Sequence, residues 1–226
     1  MQLYIGNKNY SSWSLRPWLL MTHSGIPFEE IKLRLALDPA SDFKRRLAAI
    51  APPGRVPVLV DEGFAVWDTL AIAEYLAEKY PAKRLWPEAP LARARARSLC
   101  AEMHAGFGAL RNHCGMNIEA SLPHIGKKVM AEQPEVASDL ARIAQMWEQQ
   151  LRDTGGPFLF GAFSIADAYF APVCTRIRTY ALPVSAPVQS YADRILALPA
   201  MQSWVTEALA EHDFIDYDEP YRQRPA

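Results

Sequence analysis

The chain has 226 residues, half of them hydrophobic and 22% charged, with a formal net charge of −1. That is enough apolar material for one large domain or two modest ones, and so small a charge excludes an electrostatic basis for binding nucleic acid or an anionic membrane. No apolar run is long enough to cross a bilayer, the N-terminus lacks a signal-peptide pattern, and Cys100, Cys114 and Cys174 form neither an even set nor a CxxC pair, so the expected setting is the reducing cytoplasm.

Up to about Tyr80, short β-like runs alternate with helical ones. Residues 3–5 read as a first strand and 16–23 as a first helix, closed by Ser24-Gly25. Residues 29–35 alternate polar and apolar side chains as a half-buried strand does, and 42–49 fit a short helix. Residues 56–60 form another strand, with an Asp61-Glu62-Gly63 turn into 64–66. Asp68 then opens a helix over 69–79, with Leu70, Ile72, Ala73, Leu76 and Ala77 at helical spacing. The order βαβ then ββα predicts a small mixed sheet flanked by helices, an α+β domain over residues 1–80.

Residues 81–90 hold three prolines and read as a linker. From 91 to 226 helical composition dominates, in stretches at 91–112, 136–153, 165–180, 188–197 and 200–212, so the second domain is predicted to be all-α. Ser164-x-x-Asp167, just before an apolar run, is a capping-box variant with a structural job. Arg93, Arg95 and Arg97 alternate at a period of two, which spreads them around a helix instead of forming a stripe. His104, His113 and Cys114 lack a recognisable ligand spacing, so no metal is expected. The acidic and aromatic tail over 211–221 is expected to pack back on the protein.

Chemistry concentrates where strands meet helices. Ser11-Ser12-Trp13-Ser14-Leu15-Arg16 lies between the first strand and the first helix, where unpaired N–H groups and the helix dipole favour a thiolate or carboxylate. Taken alone, a serine there is more often a simple helix cap. Asp68-Thr69 sits at a second helix N-terminus, with Asp68 a good N-cap residue. Pro57 opens a strand, where its missing N–H is tolerable.

These joints resemble the cytosolic glutathione S-transferase superfamily, over essentially the whole chain. The serine-rich stretch is similar to the Ser-Ser-Cys-x-x-Arg stretch of the zeta class. Arg55-Val56-Pro57-Val58-Leu59 followed by Val66-Trp67-Asp68-Thr69-Leu70, and Gly161-Ala162-Phe163-Ser164-Ile165-Ala166-Asp167, complete the pattern. The resemblance implies a thioredoxin-like N-terminal domain, an all-helical C-terminal domain, glutathione as substrate or catalytic partner, a small hydrophobic electrophile and a homodimer. It also implies roles: Ser11, or its neighbour Ser12, donates to the glutathione thiolate. Val56, before a cis Pro57, holds the cysteinyl backbone, Asp68 and Thr69 take the γ-glutamyl group, and Arg55 takes the glycyl carboxylate. Lys44, Arg45 and Arg46 are weaker candidates for that last role.

Trp13 stands where the zeta class has cysteine, and no cysteine precedes Cys100. That disfavours cysteine-dependent chemistry and weakens an assignment as maleylacetoacetate isomerase. Trp13 instead is a candidate to line the electrophile pocket, with His104, Phe107 and Arg111 placed on one face of the helix after the linker. Arg16 either adds positive potential or makes a salt bridge, and Arg176 and Arg178 are candidate anion contacts. The leading expectation is a glutathione transferase. The alternatives are a glutathione-dependent isomerase or peroxidase, or a non-catalytic member of the fold that carries ligands or binds proteins.

Overall fold

A computed structural model describes residues 1–224. Four strands, β1 (Gln2–Ile5), β2 (Glu29–Lys32), β3 (Val58–Asp61) and β4 (Phe64–Val66), form one sheet in the order β2-β1-β3-β4. β1 runs parallel to β2 and antiparallel to β3, and β4 returns antiparallel to β3. The parallel pair is joined through helix α1 (Ser12–His23), because parallel strands need a crossover and a helix is the usual one.

Side-chain alternation decides what covers each face. Leu3, Ile5 and Leu59 point to the side where α1 and α3 (Thr69–Lys79) bury Leu15, Leu19, Ile72 and Leu76. Val58 points to the other side, where α2 (Asp42–Ala48) buries Phe43 and Leu47. The result is the thioredoxin-like arrangement. β2 is shorter than its alternation predicts because β1 ends first. Leu33 N–H still reaches Ile5 O at 2.9 Å, but Leu35 N–H turns to Asn7 Oδ1 at 2.9 Å.

The remaining helices are α4 (Pro90–Ala105), α5 (Gly108–His113), α6 (Pro123–Glu132), α7 (Pro134–Thr154), α8 (Ile165–Tyr180), α9 (Ala186–Leu196) and α10 (Pro199–Leu209). The single helix expected over 91–112 is broken at Gly106-Phe107-Gly108, with Phe107 in the left-handed region at φ 59°. Arg111 then folds back, and its guanidinium donates to the His104 carbonyl oxygen at 3.2 Å, satisfying an orphan acceptor at the end of α4. Helix α6 lies between the expected stretches; its apolar Ile125 and Val129 share one face, but ten residues are too few to hold a helix alone. It is held by close approach instead, with Gly126 packed on the Tyr180 backbone.

Helix α8 is the buried axis of the helical part. Asp167 anchors its start: Ser164 N–H (2.9 Å) and Oγ–H (3.1 Å) donate to one carboxylate oxygen, and Leu159 N–H (3.1 Å) and Tyr191 O–H (2.9 Å) to the other. Burial nonetheless pushes its pKa up to about 6. The tail packs back as expected, with Glu211 accepting Lys8 N–H at 2.8 Å and Asp213 accepting from the Asn7 amide at 3.1 Å.

Two stability outcomes follow. A Cβ at Gly126 would sit 1.8 Å from the Tyr180 carbonyl oxygen. Gly126→Ala is therefore expected to lose about 1–3 kcal/mol in chemical denaturation, as overpacking does. Asp167→Ala, which strands four donors, is expected to lose about 3 kcal/mol or more by the same measurement.

Candidate functional site

The loop after β1 delivers Ser11 to the N-cap position of α1, yet its hydroxyl caps no backbone group. It donates instead to Ser14 Oγ at 2.7 Å, and Ser14 Oγ accepts Gly6 N–H at 3.1 Å. Ser11 is 7% exposed. With Ser12, Trp13 and Val56 it lines a cleft of about 580 Å³ that also meets Lys44, Arg55, Arg111 and Arg176. Tyr10 borders the same cleft, but its hydroxyl donates to Glu219 at 2.7 Å. Burial first and that bond second push its pKa up to about 12, so it is not a ready donor to a thiolate.

A second cleft, of about 360 Å³, adjoins the first through Trp13, Arg55 and Val56, and adds Pro57, Asp68, Thr69 and His104. The Val56–Pro57 and Trp67–Asp68 peptide bonds are both cis. Asp68 caps α3 by accepting Leu70 N–H at 3.2 Å, and its other oxygen lies 3.1 Å from His104 Nε2. Thr69 Oγ1 is 2.7 Å from the Tyr169 hydroxyl, which lies 3.2 Å from His104 Nδ1.

Between the clefts stands Trp13, edge-on to His104 with ring centroids 5.2 Å apart. Arg16 lies over its ring at 4.1 Å and over Tyr169 at 4.5 Å. Arg16 is 3% exposed, and its Nε and one terminal nitrogen have no hydrogen-bond partner. It makes no salt bridge among the described residues, which removes one of its two expected roles. Burial pulls its pKa down to about 10. Arg176 is buried too; its Nε donates to the Cys114 carbonyl at 2.8 Å, and burial likewise draws its pKa to about 10.

The structure thus brings Ser11, Ser12, Trp13, Arg55, Val56 and Arg111 to one cleft, and Trp13, Arg55, Val56, Pro57, Asp68, Thr69 and His104 to the other. Phe107 lines neither. The break after α4 turns it into the apolar core, so the shared helical face with His104 and Arg111 does not exist. Arg45 and Arg46 are exposed, and Arg45 pairs with Asp42. Arg178 is exposed outside the larger cleft. Sequence reading missed Tyr169, which looks like one more core aromatic of α8. It also missed Tyr217 and Asp218, which reach the larger cleft from the tail. The acidic and aromatic bias of that tail was the available signal. Burial pushes the Asp218 pKa up to about 6, with neighbouring Glu219 adding to the effect.

Residues 10–79 match the family model for the glutathione S-transferase N-terminal domain, and residues 130–207 that for the C-terminal domain. The chain belongs to the glutathione S-transferase family. It is 29% identical to a maleylacetoacetate isomerase of Pseudomonas aeruginosa, over 89% of this chain and 94% of the other. To the maleylacetoacetate isomerase of Rattus norvegicus it is 27% identical, over 88% and 89% respectively. Among solved structures, a zeta-class bacterial maleyl pyruvate isomerase superposes with a TM-score of 0.69 at 21% identity, covering 92% of this chain and 98% of that one. A Burkholderia glutathione transferase homologue with bound glutathione gives 0.68 at 24% identity, covering 93% and 98%. The last two likenesses establish the fold.

The roof of the larger cleft rests on Glu219, which accepts from Tyr10 O–H and from the Asn117 amide at 2.8 Å and pairs with Arg222. Glu219→Ala is expected to cost about 2–3 kcal/mol. Limited proteolysis should show faster cleavage in the tail.

Proposed function

We propose that the chain is a glutathione-dependent enzyme that adds the glutathione thiolate to a small electrophile bearing a carboxylate. The observation that carries this reading is Ser11. Its hydroxyl occupies a helix N-cap without capping, beside Val56, at the floor of a cleft edged by four cationic side chains. The orphaned Arg16 guanidinium fits an anionic ligand nearby, because a buried cation without a partner is costly and a negative charge relieves it.

Glutathione supplies the nucleophile. Val56 offers its backbone to the cysteinyl portion as an added strand would. Asp68 faces the ammonium of the γ-glutamyl group, and Thr69 its carboxylate, at the N-terminus of α3. Arg55, with Lys44 beside the same cleft, takes the glycyl carboxylate. Ser11 turns its hydroxyl proton from Ser14 Oγ to the sulfur, with Ser12 its nearest substitute. A free thiol with pKa near 8.5 is only about 3% ionised at pH 7. Lowering that pKa by about two units is worth roughly 2.7 kcal/mol and makes most of it thiolate. The α1 N-terminus, the Ser11 hydroxyl and Arg16 all act in that direction. The gain in nucleophile is at most about thirtyfold, so Arg111 and Arg176 contribute the rest by holding the electrophile. Their charge favours an acidic group on the small hydrophobic electrophile that the resemblance implies.

The names of the rat and Pseudomonas relatives favour a second reading, isomerisation, in which addition, bond rotation and elimination return glutathione unchanged. Product analysis separates the two: a stable conjugate for transfer, an isomerised acid free of glutathione for the other. In either case the chain works in the cytoplasm, consistent with its three free and buried cysteines, and as a homodimer, as its family implies.

Ser11→Ala is expected to lower turnover at least tenfold while calorimetry shows little change in glutathione affinity. No glutathione binding by the unmodified protein at millimolar concentration would remove the proposal. Arg111→Gln is expected to raise KM for a carboxylate-bearing electrophile about tenfold, consistent with loss of one charged hydrogen bond. A neutral aryl halide should be turned over almost as before.

A further inference from the structure

The hydrogen-bonded groups behind the smaller cleft form a closed ring that joins the two halves of the molecule. Thr69 leads to Tyr169, Tyr169 to His104, and His104 back to Asp68, the neighbour of Thr69 in sequence. Asp68 and Thr69 come from the start of α3, whereas His104 lies on α4 and Tyr169 on α8. Thr69 is 1% exposed, so its hydroxyl has few other partners to choose from.

Each hydroxyl has one proton, and this fixes the direction of the whole chain. With His104 neutral and its Nε2–H on Asp68, Nδ1 must accept. Tyr169 then donates to His104, and Thr69 donates to Tyr169, turned away from the cleft. With His104 protonated, Nδ1–H donates to the Tyr169 oxygen and Tyr169 donates to Thr69. The Thr69 proton is then free for an anion in the cleft. One proton on His104 therefore switches Thr69 from a spent donor to an available one.

We infer that Tyr169 and His104 are positioning residues for glutathione, acting through Thr69 on its γ-glutamyl carboxylate, and that binding this carboxylate draws a proton onto His104. The inference rests on the proposed placement of the γ-glutamyl group at Asp68 and Thr69. Other charges face the imidazole. Asp68 attracts a positive ring. Arg16, stacked on Tyr169, and Arg111, bonded to the His104 carbonyl, repel it. Trp13 presents an edge, and Cys100 lies one turn earlier on α4. The γ-glutamyl end brings one ammonium and one carboxylate. The field at His104 changes little on binding, and the direction of the hydroxyl chain decides the proton count.

The test is titration calorimetry with S-methylglutathione, whose blocked sulfur cannot release a proton. It is run near pH 6.5 in two buffers of different ionisation enthalpy. The expected result is proton uptake by the unmodified protein. Tyr169→Phe should abolish the uptake, because Thr69 then has its proton free for the carboxylate whatever the state of His104. Thr69→Val, a separate substitution, should also abolish the uptake and should weaken binding about tenfold, the loss typical of a charged hydrogen bond. An analogue lacking the γ-glutamyl carboxylate should bind all three proteins equally and take up no proton. Undiminished proton uptake in Tyr169→Phe or Thr69→Val, or no uptake by the unmodified protein, overturns the inference while leaving the glutathione site standing. Failure of the unmodified protein to bind S-methylglutathione overturns both.

Discussion

The loop between β1 and α1 must leave the sheet with its backbone groups unpaired, and everything at the site depends on how they are satisfied. Some pair nearby, as Ser11 N–H does with Asn7 O at 2.8 Å, and others find partners at the far end of the chain. Glu211 accepts Lys8 N–H and Asn9 N–H, and Trp204 donates its indole N–H to Lys8 O at 3.0 Å. The Lys8 ammonium is buried between the rings of Trp18 and Trp204 and paired with Glu30 and Glu207. Tyr10 is held by Glu219. A buried N–H or C=O left unmade costs more than a made bond gains, so these contacts define one loop conformation and not an ensemble. Ser11 is placed by that loop.

The same dependence explains why the site draws on both halves. Ser11, Val56, Asp68 and Thr69 all precede residue 80, but Arg111, Arg176, His104 and Tyr169 come from α4, α5 and α8. Trp13 is the hinge point of the charge arrangement, with Arg16 against its ring and Arg111 5.5 Å from its centroid. Substituting tryptophan for a zeta-like cysteine removes a thiol and supplies an aromatic face that tolerates two guanidinium groups at once.

Elements with strong local signals were legible in the sequence. The strand at 64–66, the helix at 69–79 and α8 with its Ser164–Asp167 start all formed as their patterns indicated. Features set by tertiary contact were not. The glycines around Phe107 were visible, but only the Leu110 N–H bond to Asp139 at 2.9 Å and the fold-back of Arg111 show why the helix breaks there. Helix α6 has a short apolar face, but its hold on the fold depends on Gly126 meeting α8, a contact that local sequence does not show. Tyr169 could not be told from its core neighbours, because a hydroxyl's partner 100 residues away leaves no trace in local sequence. The unpaired state of Arg16 is likewise a fact about packing.

The central claim is that this protein ionises glutathione at the start of α1, and the thiolate's ultraviolet absorbance tests it most directly. The complex of the protein with glutathione is titrated with pH, against free glutathione as reference. The bound thiol is expected to titrate about two units below the free value near 8.5, with most of that difference lost in Ser11→Ala. A bound thiol that titrates like the free one would contradict it.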